Sequence, residues 1–117
     1  MLESARQAYY AYSETLYRLL PDAHATLCQL RAAGLKLGLI SNASDNENVQ
    51  RLIDQAHLRE YFDPIIVSAA VGLRKPNPRI FDLVLQPWGL RPEQCVMVGD
   101  TLGADILGAE LAGLRHV

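Results

Sequence analysis

Short apolar runs alternate with helical patterns along this 117-residue chain, and that alternation limits the folds it can adopt. The runs are "LKLGLIS" (35–41), "PIIVS" (64–68) and "CVMV" (95–98). The segment "LRHV" (114–117) looks like the start of a fourth strand. Continuous apolar runs of this length are typical of strands buried on both faces. Since helical segments separate them, the sequence predicts an α/β fold whose parallel strands are joined by right-handed crossovers.

The first 19 residues predict a helix with an apolar and aromatic stripe. Its members recur at three- and four-residue steps and are Leu2, Ala5, Tyr9, Tyr12, Leu16 and Leu19. We interpret the stripe as a packing face, because residues at this spacing more often pack than bind a ligand. Pro21 is expected to end this helix.

Helix boundaries are predicted from capping residues, glycines and prolines. Gly34 closes the second helix, and Asp45 can cap the third. Pro78 can open the fourth helix, which "QPWG" (86–89) breaks, and Gly113 stops the last.

Composition limits the classes of partner. Half of the residues are apolar, and the net charge of −2 comes without a basic stripe, so nucleic acid and anionic membranes are not expected to bind. The chain lacks an apolar window of about 18 residues and the apolar block of a signal peptide. We predict that Cys28 and Cys95 are buried free thiols, that Trp88 lies in the core, and that the compartment is the cytoplasm.

Polar residues follow the predicted strands where each one ends. Ser41 and Asn42 follow the first strand, Asp100 follows the third, and Lys75 lies in the loop region after the second. Ligands of parallel α/β sheets gather at the carboxyl ends of the strands. The sequence therefore predicts a site to which separate loops bring a hydroxyl, an ammonium and a carboxylate.

Two acids in "GDTLGAD" (99–105) have the chemistry of a metal site. Asp100 and Asp105 offer hard oxygen ligands of the kind that Mg²⁺ prefers, often one or two carboxylates with several waters. The alternative is that acids near a helix start simply complement the helix dipole. From the residues alone both interpretations stay open.

Ser41, Asn42 and Lys75 are candidates for holding an anion, and each has an ordinary alternative. Ser and Asn commonly bond the local backbone, and a lysine is commonly a solvated surface residue. Lys75, however, is followed by Pro76 and Pro78, which stiffen the loop and lower the entropic cost of holding its ammonium in place.

Three segments together resemble the haloacid dehalogenase superfamily, and most closely its phosphatase-like branch with a helical cap. They are "LGLISN", "VGLRKPNPRIF" and "VMVGDTLGADILGA". The resemblance covers residues 20–117 and implies a Rossmann-like parallel sheet flanked by helices. Residues 1–19 resemble the last helix of a cap.

The resemblance also implies roles for the candidate residues. Ser41 and the backbone of Asn42 would hold the transferring phosphoryl group of a small phosphorylated substrate, and Lys75 would neutralise its charge. Asp100 would bind Mg²⁺. Asp105 would support the metal through water, or orient Lys75 and Ser41.

The sequence departs from the family pattern at the nucleophile. The family's aspartyl-phosphate mechanism uses a DxD segment at the end of its first strand. No two of the Asp residues here lie two apart; they are Asp22, Asp45, Asp54, Asp63, Asp82, Asp100 and Asp105. The chain is therefore expected to be the C-terminal portion of a Mg²⁺-dependent phosphate-monoester hydrolase, without its first strand and most of its cap, and inactive alone.

The missing strand would lie between "LKLGLIS" and "CVMV". Those two strands are expected to close up, to accept a strand from a partner chain or second copy, or to await the rest of a longer molecule. Two other functions stay open: a metal-free haloacid dehalogenase, against which the Gly99-Asp100 pair argues, and a non-catalytic binding or assembly module.

Overall fold

The computed structural model describes residues 2–117, which form two compact units. Unit 1 holds the chain up to Leu37 together with Asp45–Asp63, and unit 2 holds Gly38–Ser44 and Pro64–Val117. Every candidate site residue lies in unit 2. The assignment of residues 1–19 to a cap and 20–117 to a core stays a prediction.

Unit 1 is helical. It contains α1 (Leu2–Glu14), α2 (Ala23–Ala32), α3 (Asn46–Gln55) and a 3₁₀ turn (Arg59–Tyr61). Asp45 caps α3 as predicted: its backbone is extended, and its carboxylate accepts the N–H of Asn48 at 2.9 Å. Gly34 follows α2 with a φ of 84°, which confirms it as the residue that closes the helix.

The first helix differs from the prediction in length and in burial. It ends at Glu14 rather than at residue 19, because the Thr15 backbone N–H and hydroxyl both donate to the Tyr12 carbonyl and close a turn. The predicted packing face is exposed, with Tyr9 64% and Tyr12 68% accessible. In α2, Cys28 is exposed as well, so the prediction that this thiol is buried is wrong.

Unit 2 contains two parallel pairs of strands. Strand β1 (Leu39–Ser41) pairs with β2 (Ile65–Val67), and β3 (Val96–Met97) pairs with β4 (Arg115–His116). The predicted parallel pairing is confirmed, but every strand is shorter than its apolar run. Within the described residues β1 and β3 do not pair. Of the three outcomes expected for these strands, direct closing up is therefore not the one found.

The helices of unit 2 connect and cover these strands. They are α4 (Ser68–Val71), α5 (Arg79–Trp88) and α6 (Leu107–Ala112), and a π-helical turn (Leu102–Ile106) leads into the last. Helix α5 starts after Pro78 as predicted, but it passes through Pro87 and ends at Gly89, whose φ is 64°. Only Trp88 follows Pro87 in the helix, so α5 ends one residue after the proline.

The core of unit 2 lies against α5. Ile80, Phe81, Leu85 and Cys95 are buried there, and Trp88 packs against them. Gly38 brings β1 close to α5: a Cβ at this position would lie 2.9 Å from the Val84 side chain and 3.1 Å from Trp88. This packing fixes the strand whose carboxyl end carries Ser41 and Asn42.

Membrane-spanning helices are absent from the described part of the chain, since none of its helices combines the required length and apolar character.

Candidate functional site

Three of the predicted site residues are in contact in unit 2. They are Asn42, which follows β1; Lys75, in the loop before α5; and Asp105, in the π-helical turn before α6. Ser41 is the last residue of β1 and is half-buried beside Asn42 in the chain. Asp100 lies after β3 and is exposed, and its carboxylate accepts the Thr101 hydroxyl at 3.2 Å.

Lys75 is buried with its charge paired. Its side chain is 8% exposed, and Nζ donates to Asp105 Oδ1 at 2.6 Å and to the Ile40 carbonyl at 2.8 Å. An ammonium has three N–H groups. Two of them are used within the described residues, so the geometry allows one further acceptor. The interpretation of Lys75 as a solvated surface lysine is wrong.

Asp105 stays ionised at this buried position. Burial by itself raises its pKa, but hydrogen bonds from Lys75 Nζ and from the backbone N–H of Thr101, at 3.1 Å, outweigh that effect. The pKa of Asp105 therefore lies below its usual value. Both carboxylate oxygens are engaged, one by Lys75 and the other by Thr101, which favours the alternative that Asp105 orients Lys75.

Gly99 makes room for Asp105. A Cβ at Gly99 would lie only 2.4 Å from the carboxylate carbon of Asp105. The close approach to Asp105 gives this glycine a structural role that sequence spacing does not reveal.

Side-chain bonds tie the loops of this site together. The Asn42 carboxamide donates to the Lys75 carbonyl and accepts the Lys75 backbone N–H, both at 2.8 Å. The Ser68 hydroxyl donates to the Ala43 carbonyl and accepts the Ala43 N–H, both at 2.9 Å. Sequence reasoning missed Ser68, although its place just after β2 matches that of Asn42 just after β1.

The sequence-predicted ligands for a divalent cation are the two carboxylates that follow β3, Asp100 and Asp105. Within the described residues no three His, Cys, Asp or Glu side chains form a metal-binding group. Mg²⁺ commonly takes only one or two protein carboxylates, together with water and substrate oxygens. The exposed carboxylate of Asp100 fits that need, whereas Asp105 is committed to Lys75 and Thr101.

Comparison with known proteins identifies the family. The model of the haloacid dehalogenase-like hydrolases matches residues 2–113. This chain belongs to the haloacid dehalogenase-like hydrolase family. The resemblance of "LGLISN", "VGLRKPNPRIF" and "VMVGDTLGADILGA" is thereby confirmed, together with the α/β fold that it implied.

Relatives of this haloacid dehalogenase-like chain include phosphatases. It is 40% identical over 101 residues to phosphoserine phosphatase of Thermus thermophilus, covering 86% of the chain and 40% of the relative. It is 39% identical over 109 residues to glyceraldehyde 3-phosphate phosphatase of Methanothermobacter thermautotrophicus, covering 93% of the chain and 48% of the relative. The chain thus spans less than half the length of these relatives.

A solved structure of the family has the same fold. The magnesium-bound form of the HAD-hydrolase YfnB from Bacillus subtilis superposes with a TM-score of 0.84 at 27% identity. The match covers 94% of this chain and 48% of that one. The functional roles of individual residues in the haloacid dehalogenase-like chain remain predictions.

Proposed function

We propose that this chain is the phosphate-holding portion of a Mg²⁺-dependent phosphate-monoester hydrolase. The observation that carries the proposal is the position of Lys75: a buried, charged ammonium lies against β1 at the carbonyl of Ile40, the residue before Ser41. The named activities of the two phosphatase relatives support a small phosphorylated substrate.

The proposed chemistry is charge stabilisation by groups fixed in advance. The Ser41 hydroxyl and the Asn42 backbone N–H donate to phosphoryl oxygens, and the Lys75 ammonium offsets their negative charge. Donors that are already oriented lose little free energy on reorganisation when charge builds up in the transition state. Asp105 holds the ammonium toward β1 and so positions it.

Asp100 would hold Mg²⁺, and support comes from its exposed carboxylate and from the magnesium-bound relative. When bound, the ion supplies additional positive charge to the phosphoryl oxygens. A metal-ligand role for Asp105 remains a prediction. The free thiols of Cys28 and Cys95 suit a reducing compartment, which we propose is the cytoplasm.

The chain on its own is proposed to bind phosphate without turning it over. Covalent phosphoryl transfer needs a carboxylate nucleophile with an acid/base partner, and the sequence lacks the DxD spacing that supplies both in the family.

Phosphate titration of the full 117-residue chain tests this function. We expect inorganic phosphate, followed by two-dimensional NMR, to shift the backbone amides of Ser41 and Asn42, and Mg²⁺ to strengthen the response. Ser41→Ala and Lys75→Met should weaken binding, whereas Lys36→Met, at an exposed lysine of unit 1, should not. A wild-type chain that shows no response at 41 and 42, or a Lys36→Met variant that binds phosphate as weakly as Lys75→Met, contradicts the proposal.

A hydrolysis assay tests the proposed inactivity. Hydrolysis of p-nitrophenyl phosphate well above background by this chain contradicts it.

A specific observation favours a second function, assembly with another chain. The Leu39 N–H donates to the Pro64 carbonyl next to β2, so the backbone groups of Ile40 face the other edge of β1. That edge is already partly used, because the Ile40 carbonyl accepts Lys75 Nζ. On β3, bonds to β4 engage Cys95 and Met97, which leaves the backbone of Val96 and Val98 facing away. A strand edge like that of β3 can accept an added strand, so we propose that a partner chain or second copy pairs with β3.

A further inference from the structure

The side chains of Asn42 and Ser68 join three segments of the chain: the residues after β1, the start of α4, and the loop that carries Lys75. We propose that they are positioning residues that fix the Lys75 ammonium relative to Ser41. This inference rests on the proposed function for its catalytic meaning, but its geometry can be tested separately.

Asn42 acts as a substitute peptide group. Its carboxamide carries both a donor group, the NH₂, and an acceptor, the oxygen, and each makes one bond to the backbone of Lys75. This is the pairing that a neighbouring strand would supply, although the chain at Lys75 is a loop. Aspartate at position 42 would lose the donor, and alanine would lose both groups, so the bond pair depends on this residue type.

Lys75 is thereby hydrogen-bonded to the chain on both sides of Ser41. Its backbone is bonded to Asn42, the residue after Ser41, and its ammonium is bonded to the carbonyl of Ile40, the residue before it. Since both ends of the lysine are anchored to neighbours of the same serine, the distance between the ammonium and the Ser41 hydroxyl is restricted. Asp105 adds a third anchor on the ammonium.

Ser68 extends this arrangement to the start of α4, directly after β2. Its hydroxyl both donates to and accepts from the backbone of Ala43, the next residue after Asn42. The hydroxyl is half-buried and lies at the first residue of α4. Strand β2 and the segment carrying Ser41 and Asn42 are thus joined beyond the last paired residues, Ser41 and Val67.

Amide hydrogen exchange tests the geometry without phosphate. In the wild-type chain we expect the N–H groups of Lys75 and Ala43 to be protected. Asn42→Ala should speed exchange at Lys75 by at least about tenfold, and Ser68→Ala should do the same at Ala43. Asn42→Asp should raise exchange less than Asn42→Ala, since the acceptor remains, and Ser68→Thr should restore protection at Ala43. Equal protection in all variants overturns the proposal.

Phosphate affinity of the same variants tests the positioning role. We expect Asn42→Ala and Ser68→Ala to weaken binding of inorganic phosphate by about tenfold, and Ser68→Thr to restore it. Asn77→Asp, at an exposed residue of the loop that carries Lys75, controls for the negative charge that Asn42→Asp adds. Leu85→Ala, in the core of unit 2, controls for lost stability and should leave affinity unchanged.

The outcomes separate the two proposals. Wild-type phosphate binding that Asn42→Ala and Ser68→Ala leave unchanged overturns the positioning role and leaves the proposed function standing. A wild-type chain that fails to bind phosphate overturns the proposed function, and the exchange data then still decide whether the two side chains fix Lys75. Weaker binding by Leu85→Ala of the same size also overturns the positioning role, since it traces the loss to stability alone.

Discussion

Asp105 keeps a charged carboxylate where only 6% of its surface is exposed, because Lys75 and a backbone N–H satisfy both of its oxygens. Its pKa lies below the usual value in the folded chain, against burial that would raise it. The unfolded chain therefore binds a proton at a higher pH than the folded chain does. The resulting stability is fully present above the unfolded pKa of about 4 and is lost as the pH falls through the lower folded value.

Replacing Asp105 by asparagine should flatten this acid dependence. We expect Asp105→Asn to lower the free energy of unfolding by about 3 kcal/mol at neutral pH, because the buried Lys75 ammonium loses its counter-charge. Urea unfolding between pH 3 and 7 would measure both effects. Asp54→Asn is a matched control, since its ion pair with Arg59 is exposed and should contribute little. An unchanged acid dependence in Asp105→Asn would contradict the assignment.

The room that Gly99 leaves for Asp105 leads to a prediction within the same segment. Gly99→Ala should destabilise unit 2 by about 1–3 kcal/mol, because the added methyl group forces the Asp105 side chain to move. Gly103→Ala should be neutral or slightly stabilising, since nothing lies within 4 Å of its built Cβ. Thermal unfolding of the two variants compares them, and equal effects would argue against a special role for Gly99.

The start of α3 gives a prediction at the scale of an element. Asp45→Ala should cost about 1 kcal/mol, because the N–H of Asn48 loses its acceptor at the helix start. Asp45→Asn should cost less, since it keeps an oxygen acceptor and loses only the charge that faces Arg6. Urea unfolding and helix content by circular dichroism would show the difference. Two variants that are equally destabilised would assign the loss to the ion pair rather than to the cap.

Elements whose signals are local could be predicted from the sequence. Gly34, Asp45 and Gly113 mark helix ends through their own backbone or side-chain chemistry, and the structure confirms all three. Burial could not be predicted in the same way. The stripe of α1 and the thiol of Cys28 are exposed, since periodicity shows which face is apolar and not whether anything covers it.

The sequence identified candidate site residues but not the bonds between them. Ser41, Asn42, Lys75 and Asp100 could be found because carboxyl ends of parallel strands share an edge. The paired bonds of Asn42 and Ser68 join positions 33 and 25 residues apart, which no short motif reports. The strand lengths were overestimated, since an apolar run does not show how many of its residues have a partner strand. Nor does it show burial, because two residues of the run "CVMV", Val96 and Val98, are exposed.

Free strand edges lead to a prediction for the whole molecule. We expect the chain to self-associate as its concentration rises, because β3 presents an unpaired edge with Val96 54% and Val98 74% exposed. Val98→Lys should suppress association, since a charge on an edge opposes strand pairing. Val71→Lys, at an exposed valine of α4, is the control. Sedimentation velocity would measure both, and a wild-type chain that stays monomeric throughout would contradict the edge proposal.

The reactivity of the two cysteines can report how fast the core of unit 2 opens. Cys28 is exposed in unit 1, whereas burial shields Cys95 in the core of unit 2 and raises the pKa of its thiol. Since the thiolate is the reactive form, a thiol reagent should consume Cys28 in a fast phase and Cys95 only as unit 2 opens. The slow phase then times the fluctuations of the unit that carries Lys75, and a single fast phase for both thiols would show that its core opens freely.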